Sequence, residues 1–140
     1  MLIGPILIAA SAAVVGMLGC VHLLFTFSGN KFDPRDTAVT EALKVVSPVI
    51  SRQTTMARAA KGFHASHSLG VMVFALVWGY LALEQWSLLQ HSPFLLVLGM
   101  AVLLAYLALA QMYWFSVPLC GIFLANVLYA TGIVLSGLAL

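Results

Sequence analysis

The sequence has very little charge. Only 7% of its 140 residues are Asp, Glu, Lys or Arg, against roughly a quarter in a typical soluble domain. Such a composition cannot cover a surface that faces water, so it excludes an ordinary soluble protein. Residues 93–140 contain no charged residue at all. We therefore expect lipid to be the solvent for most of this chain.

Cysteines and recognisable catalytic motifs are also scarce. The two cysteines, Cys20 and Cys120, lie in apolar runs and form no C-x-x-C pair, so no disulfide framework is predicted. The six basic residues lie between positions 31 and 61 beside three acidic ones, which is a weak phosphate-binding footprint and argues against a nucleic-acid partner. No serine-hydrolase, phosphate-loop or zinc-protease motif is present, which favours a non-enzymatic role.

Long apolar runs make up most of the chain. A helix needs about 20 apolar residues to cross the hydrocarbon core of a bilayer, and four runs reach that length. We predict an all-α integral membrane bundle of four transmembrane helices that forms a single domain over residues 1–140. The last two spans are expected to be divided by a turn at Val117–Pro118. The predicted spans are about 2–28, 62–83, 93–116 and 119–140.

The one polar segment, residues 31–61, separates the first two spans. Asp33 is expected to cap a short helix in which Val39 and Leu43 recur at helical spacing, so the segment is predicted to contain an amphipathic helix. Every Lys and Arg of the chain lies here. Because basic loops stay on the cytoplasmic side of a membrane, we predict that residues 29–61 are cytoplasmic and that both termini face the outer side.

Polar side chains inside the spans are the candidate functional residues, because unpaired polar groups are costly in lipid. At a rise of 1.5 Å per residue, candidates from all four spans fall into one layer, roughly 10 Å from the cytoplasmic interface. They are His22, Thr26, His64, His67, Gln111 and Asn126. The basic residues expected to contact lipid headgroups are Arg52, Arg58 and Lys61.

Three interpretations of this layer stay open. In the first, the imidazoles and amides form hydrogen bonds across helices and fix the bundle. In the second, neutral His22 and His67 bind a transition metal or a b-type haem, with the other candidates in supporting roles. In the third, the layer lines a pocket for a lipid, quinone or small amphiphile beneath the amphipathic helix.

Two hypotheses about function follow from these interpretations. The first is a non-enzymatic accessory or structural subunit that packs against a larger membrane complex or against a second copy of itself. In this case, residues such as Gly132 in the last two spans are expected on an exposed, partner-binding face. The alternative is a ligand-, metal- or haem-binding membrane protein that uses His22 and His67 near the cytoplasmic side.

Two segments also carry a resemblance to known sequences. Residues 19–27 read as G-x-x-H-L-x-x-T-F, and residues 62–70 read as G-F-x-x-S-H-S-L-G. The pair resembles an uncharacterised family of small bacterial four-span membrane proteins. The resemblance implies the topology and the bacterial inner membrane, and it implies no activity. Members of that family commonly have Asn in place of His64, which makes His22 and His67 the better candidates.

Overall fold

The computed structural model describes residues 3–137, and within that range all regular structure is helical. The predicted all-α fold with four long helices is confirmed. Two short helices lie in the connections between them. The helices are α1 (Ile3–Phe27), α2 (Thr37–Val45), α3 (Met56–Leu83), α4 (Trp86–Gln90), α5 (Pro93–Tyr113) and α6 (Ser116–Leu135).

Helices α1, α3, α5 and α6 are long and apolar enough to cross a membrane. At most 33% of the apolar stretch of each helix is buried inside the structure. Bulky side chains such as Ile6, Leu76 and Val134 are therefore more than half exposed. Water would make so much exposed apolar surface unfavourable, whereas lipid accepts it. These helices indicate a multi-pass membrane protein.

Some helix ends differ from the predicted spans. Helix α3 begins at Met56, earlier than predicted, and the connection between α5 and α6 lies at Trp114 and Phe115. Val117 and Pro118, predicted to form that turn, instead lie in the first turn of α6. A proline is tolerated there because the first N–H groups of a helix have no partner within the helix and its fixed φ suits the helix.

The amphipathic helix α2 also begins later than predicted. Asp36, rather than Asp33, is its N-cap, because the Asp36 carboxylate accepts a hydrogen bond of 2.8 Å from the backbone N–H of Ala38. None of the residues of α2 is buried. The backbone N–H of Met56 donates to the carbonyl oxygen of Val46 over 2.8 Å, which ties the end of α2 to the start of α3.

The chain divides into two compact units. The described residues of Met1–Leu18 and Val71–Leu140 form one unit, which we call the helical bundle. Gly19–Gly70 forms the other, which we call the polar unit. Helices α1 and α3 each contribute residues to both. The largest fully buried apolar side chains of the helical bundle are Ile8, Val15, Leu89, Leu96, Leu103, Ile122 and Tyr129.

Polar side chains link α6 to the other long helices of the helical bundle. Ser11 Oγ on α1 donates to the carbonyl oxygen of Ala125 over 2.8 Å. Trp78 Nε1 on α3 donates to the Tyr129 hydroxyl over 3.0 Å, and that hydroxyl donates to the carbonyl oxygen of Leu96 on α5 over 3.3 Å. Since lipid cannot replace such partners, these bonds help to fix the packing.

Glycines allow the closest approaches between helices in the bundle. A Cβ added at Gly132 would lie 2.8 Å from Ile8 Cγ1 and 3.0 Å from the carbonyl oxygen of Gly4. Gly132 is therefore buried against α1 and does not lie on an exposed face as expected. A Cβ added at Gly16 would lie 3.0 Å from the Ala75 side chain, so α1 and α3 also pack through small residues.

Candidate functional site

Three histidines and a phenylalanine meet in the polar unit, and we call them the imidazole cluster. His22 lies in the last two turns of α1, His64 and His67 lie three residues apart on α3, and Phe32 follows α1. The ring centroid of His22 lies 5.2 Å from that of His64 and 5.5 Å from that of His67. Phe32 stacks on His64 at a centroid distance of 4.7 Å and an angle of 12°.

His22 and His64 contact each other through their ring nitrogens. Nε2 of His22 lies 3.2 Å from Nδ1 of His64. One nitrogen must carry the hydrogen while the other presents its lone pair, because two N–H groups cannot form a bond to each other. At least one of the two facing nitrogens is therefore unprotonated. His64, which the resemblance ranks below His22 and His67, thus makes a direct hydrogen bond to His22.

The other predicted site residues have different surroundings. Thr26 is buried, and its hydroxyl donates to the carbonyl oxygen of His22 over 2.8 Å. Asn126 belongs to the helical bundle, where its Nδ2 donates to the carbonyl oxygen of Leu103 on α5 over 3.1 Å. Gln111, also in the helical bundle, is exposed near the end of α5. The polar unit therefore brings together His22, Thr26, His64 and His67.

The imidazole cluster matches a two-nitrogen metal site only in part. Within residues 3–137, no group of three or more His, Cys, Asp or Glu side chains is arranged to hold a metal ion. The 3.2 Å between the nitrogens of His22 and His64 nevertheless resembles the roughly 3.3 Å between two imidazole nitrogens bound to one tetrahedral ion. A haem held by two axial imidazoles needs them on opposite faces of the macrocycle, whereas the rings of His22 and His64 contact each other directly through their nitrogens.

A pocket of about 290 Å³ lies in the polar unit, and we call it the polar pocket. Its wall comes from the end of α1, the loop that follows, α2 and the first turns of α3. Phe25, Phe32 and Leu43 supply apolar surface, and Thr26 and Thr40 supply hydroxyls. The charged side chains that line the polar pocket are Asp33, Lys44, Arg58 and Lys61.

The basic residues at the polar pocket differ in their partners. Lys44 Nζ lies 2.6 Å from Glu41 Oε1, and this hydrogen bond raises the pKa of Lys44 above its ordinary value. In the described part of the chain, it is the one ion pair between a Lys or Arg and an Asp or Glu. Arg58 and Lys61 are exposed one turn apart on α3. Arg52, grouped with them as a lipid contact, does not line the pocket.

The third interpretation of the sequence placed a pocket beneath the amphipathic helix, but it named no residue of the loop or of α2 as part of that pocket. Phe32, Asp33 and Lys44 line the polar pocket together with His64, yet they share no helical periodicity with α3. The available signal was the concentration of all basic residues in 31–61. It indicated a charged region without indicating which side chains face a common pocket.

Comparison of the chain with models of protein families, with curated proteins and with solved structures finds no match. The resemblance to small bacterial four-span membrane proteins therefore stays a prediction. Function has to be inferred from the geometry of the polar unit.

Proposed function

We propose that this chain is a non-catalytic membrane protein that binds a small amphiphilic ligand in the polar pocket. The supporting observation is the composition of the pocket wall, in which Phe25, Phe32 and Leu43 accompany the hydroxyls of Thr26 and Thr40. Ligand sites commonly combine apolar surface with a few polar groups that fix the orientation of the ligand. A molecule with an apolar and a polar part fits this wall better than a wholly polar one.

The size of the polar pocket limits what enters it. Its volume of about 290 Å³ lies at the lower end of the range for ligand pockets and equals that of roughly ten water molecules. A headgroup or a small ring fits such a space, whereas long acyl chains do not. The apolar tails of a lipid ligand would therefore remain in the bilayer.

A tryptophan placed in the pocket tests this function. Ala60 and its neighbour Ala59 are both exposed, but only Ala60 is among the residues that line the polar pocket. We expect Ala60→Trp to reduce the binding of diacylglycerol and phosphatidic acid to the solubilised protein by about tenfold, because the indole occupies the ligand's space. Native mass spectrometry measures the bound fraction. Ala59→Trp is the matched control, and an equal result for both variants would exclude the pocket as the binding site.

We further propose that the polar unit faces the cytoplasm of a bacterial cell. The positive-inside rule supports this orientation, because all six basic residues lie in 31–61. The test uses Gln53→Cys or Ser87→Cys in a chain whose Cys20 and Cys120 are replaced by Ser. A membrane-impermeant maleimide added to intact spheroplasts should label the cysteine at position 87 only. Labelling at position 53 alone would show that the orientation is the opposite of the proposed one.

A second candidate function is binding of a copper or zinc ion by the imidazole cluster. The observation that favours it is the 3.2 Å separation of the His22 and His64 nitrogens. A third imidazole lies beside this pair, because the ring centroid of His67 is 5.5 Å from that of His22. Elemental mass spectrometry after metal loading and desalting should then show a metal that His64→Ala loses and His91→Ala keeps. Equal metal content in both variants would exclude this function.

The role of accessory subunit, or of self-associating protein, is a separate proposal for the helical bundle. Gln111 supports it, because this side chain is exposed on a membrane-spanning helix and amides in lipid favour hydrogen bonds to another helix. Gln111→Leu should then reduce a cross-linked complex in membranes, whereas Met112→Leu should not. Equal yields of the complex from both variants would count against the proposal.

A further inference from the structure

We propose that the ligand of the polar pocket carries a phosphate group, which Arg58 and Lys61 bind. This inference rests on the proposed amphiphile-binding function and specifies the chemistry of the ligand. It concerns the polar unit alone.

Positive charge exceeds negative charge around the polar pocket. Lys44, Arg58 and Lys61 line it, and Asp33 is the one carboxylate among the lining residues. The charge of Lys44 is engaged by Glu41 at 2.6 Å. Arg58 and Lys61 have no such acidic partner in the described part of the chain. Two cations therefore face the pocket with their charge available to a ligand.

Helix α3 arranges these cations along one side of the pocket. Arg58, Lys61 and His64 follow one another at intervals of three residues, and all three line the polar pocket. They lie in the first turns of α3, and the start of a helix is the positive end of its dipole. Lys61 Nζ lies 5.8 Å from the centre of the Phe27 ring, a cation–π contact that holds its side chain near the end of α1.

A phosphate suits this set of donors better than a carboxylate does. The planar guanidinium of Arg58 can bind two phosphate oxygens at once, and the ammonium of Lys61 adds a compact charge. A phosphomonoester carries a charge of roughly −1.5 to −2 at neutral pH, so it can pair with both cations even though Asp33 also lines the pocket. A carboxylate carries a single charge and pairs with two cations less strongly.

The phosphate can belong to a phospholipid headgroup or to a water-soluble phosphate compound, since the binding chemistry is the same. Three probes added to the detergent-solubilised full chain separate these sources. They are dioleoyl phosphatidic acid, dioleoylglycerol, which has the same tails without the phosphate, and inorganic phosphate. Native mass spectrometry measures the bound fraction of each lipid.

We expect phosphatidic acid to bind about 25-fold more tightly than dioleoylglycerol, because two cations contribute about fivefold each near an anionic headgroup. Displacement of phosphatidic acid by inorganic phosphate would show that soluble phosphates also bind. Retention of phosphatidic acid would identify the lipid headgroup as the source. Equal binding of phosphatidic acid and dioleoylglycerol would overturn the inference.

Charge-neutralising variants locate the phosphate site. Arg58→Gln combined with Lys61→Gln should remove the preference for phosphatidic acid. Arg52→Gln removes a positive charge from the same segment outside the pocket, so it should change the affinity by less than about twofold. Asp33→Asn should strengthen binding, because it removes the one lining carboxylate. If Arg52→Gln lowered the affinity for phosphatidic acid as much as the double variant does, the effect would come from general surface charge and the proposal would be overturned.

The two proposals can fail separately. If Ala60→Trp blocks both lipids while neutralised Arg58 and Lys61 leave binding unchanged, the amphiphile-binding function holds and the phosphate inference is wrong. If Ala60→Trp blocks neither lipid, the amphiphile-binding function fails as well. Circular dichroism of each variant verifies that its helices are retained, so a loss of binding is not a loss of fold.

Discussion

The helical bundle and the polar unit place their polar side chains differently. In the helical bundle, Ser11, Trp78 and Tyr129 find hydrogen-bond partners on neighbouring helices. In the polar unit, the cations of Arg58 and Lys61 are exposed at a pocket. The first arrangement stabilises one packing of helices, and the second leaves charge available to a ligand. Substitutions in the bundle should therefore change stability, and those in the polar unit should change binding.

Gly99→Leu is expected to have the largest effect on stability. A Cβ at position 99 would collide with the Tyr129 hydroxyl and with Trp78 Nε1, which are buried and bonded to each other. We expect the free energy of unfolding to fall by about 3 kcal/mol, measured by reversible denaturation in mixed micelles. Gly62→Leu in the polar unit is the control, because a Cβ there has nothing within 4 Å. If both variants lost the same free energy of unfolding, the proposed contrast between the helical bundle and the polar unit would be wrong.

Tyr129→Phe is expected to have the next largest effect. It removes the acceptor for Trp78 Nε1 and the donor to the carbonyl oxygen of Leu96. We expect a loss of about 1 kcal/mol in the same unfolding assay, because hydrogen bonds between helices in membranes are individually modest. Tyr80→Phe is the comparison, since Tyr80 is exposed and its hydroxyl accepts a hydrogen bond from Nε2 of the exposed Gln85. A larger loss at Tyr80 would contradict the assignment of the stabilising network to the bundle interior.

His64→Asn should affect binding more than stability. The substitution removes the half-buried imidazole whose Nδ1 lies 3.2 Å from His22 Nε2 and which stacks with Phe32. We expect the free energy of unfolding to change by about 0.5 kcal/mol, while amphiphile binding measured by native mass spectrometry falls severalfold. His91→Asn, in the connection after α4, should change neither quantity. A stability loss as large as that of Gly99→Leu would show that the imidazole cluster is a packing element.

Glu41→Gln is expected to have the smallest effect. The hydrogen bond to Glu41 raises the pKa of Lys44, so any stabilisation by this pair is present below the ordinary pKa of lysine and is lost as the pH rises through the raised value. In the variant, we expect the pKa of Lys44 to fall toward its ordinary value, measured by NMR of its side-chain nitrogen. The free energy of unfolding near neutral pH should not change measurably, because the pair is exposed. An unchanged pKa would contradict the role of Glu41.

Hydropathy was sufficient to predict the four long helices, because a bilayer requires apolar runs of a fixed minimum length. The helix ends were less predictable, since they depend on local capping. The sequence predicted Asp33 as the cap, but any Asp can cap a helix by residue type, and the structure has Asp36 at the N-cap. Likewise, Pro118 is compatible with a turn or with the first turn of a helix, and the structure has the helix.

The candidate site could be predicted only in part. The spacing of His64 and His67 places them on neighbouring positions of one helix surface, and this much follows from sequence alone. Hydropathy does not determine how α1 and α3 are rotated about their axes, so the contact between His22 and His64 could not be foreseen. The position of Lys44 depends on the course of the loop after α1, which has no periodic pattern to interpret.

Helix α3 is longer than a single membrane crossing requires. Its 28 residues span about 42 Å, whereas the hydrocarbon core of a bilayer is about 30 Å thick. Roughly eight residues at one end or the other must therefore lie outside the core unless the helix tilts. Because Arg58 and Lys61 occupy the start of α3, the acyl chain length of the surrounding lipids should influence how far these cations extend into the headgroup layer. The affinity of the polar pocket would then depend on bilayer thickness as well as on headgroup chemistry.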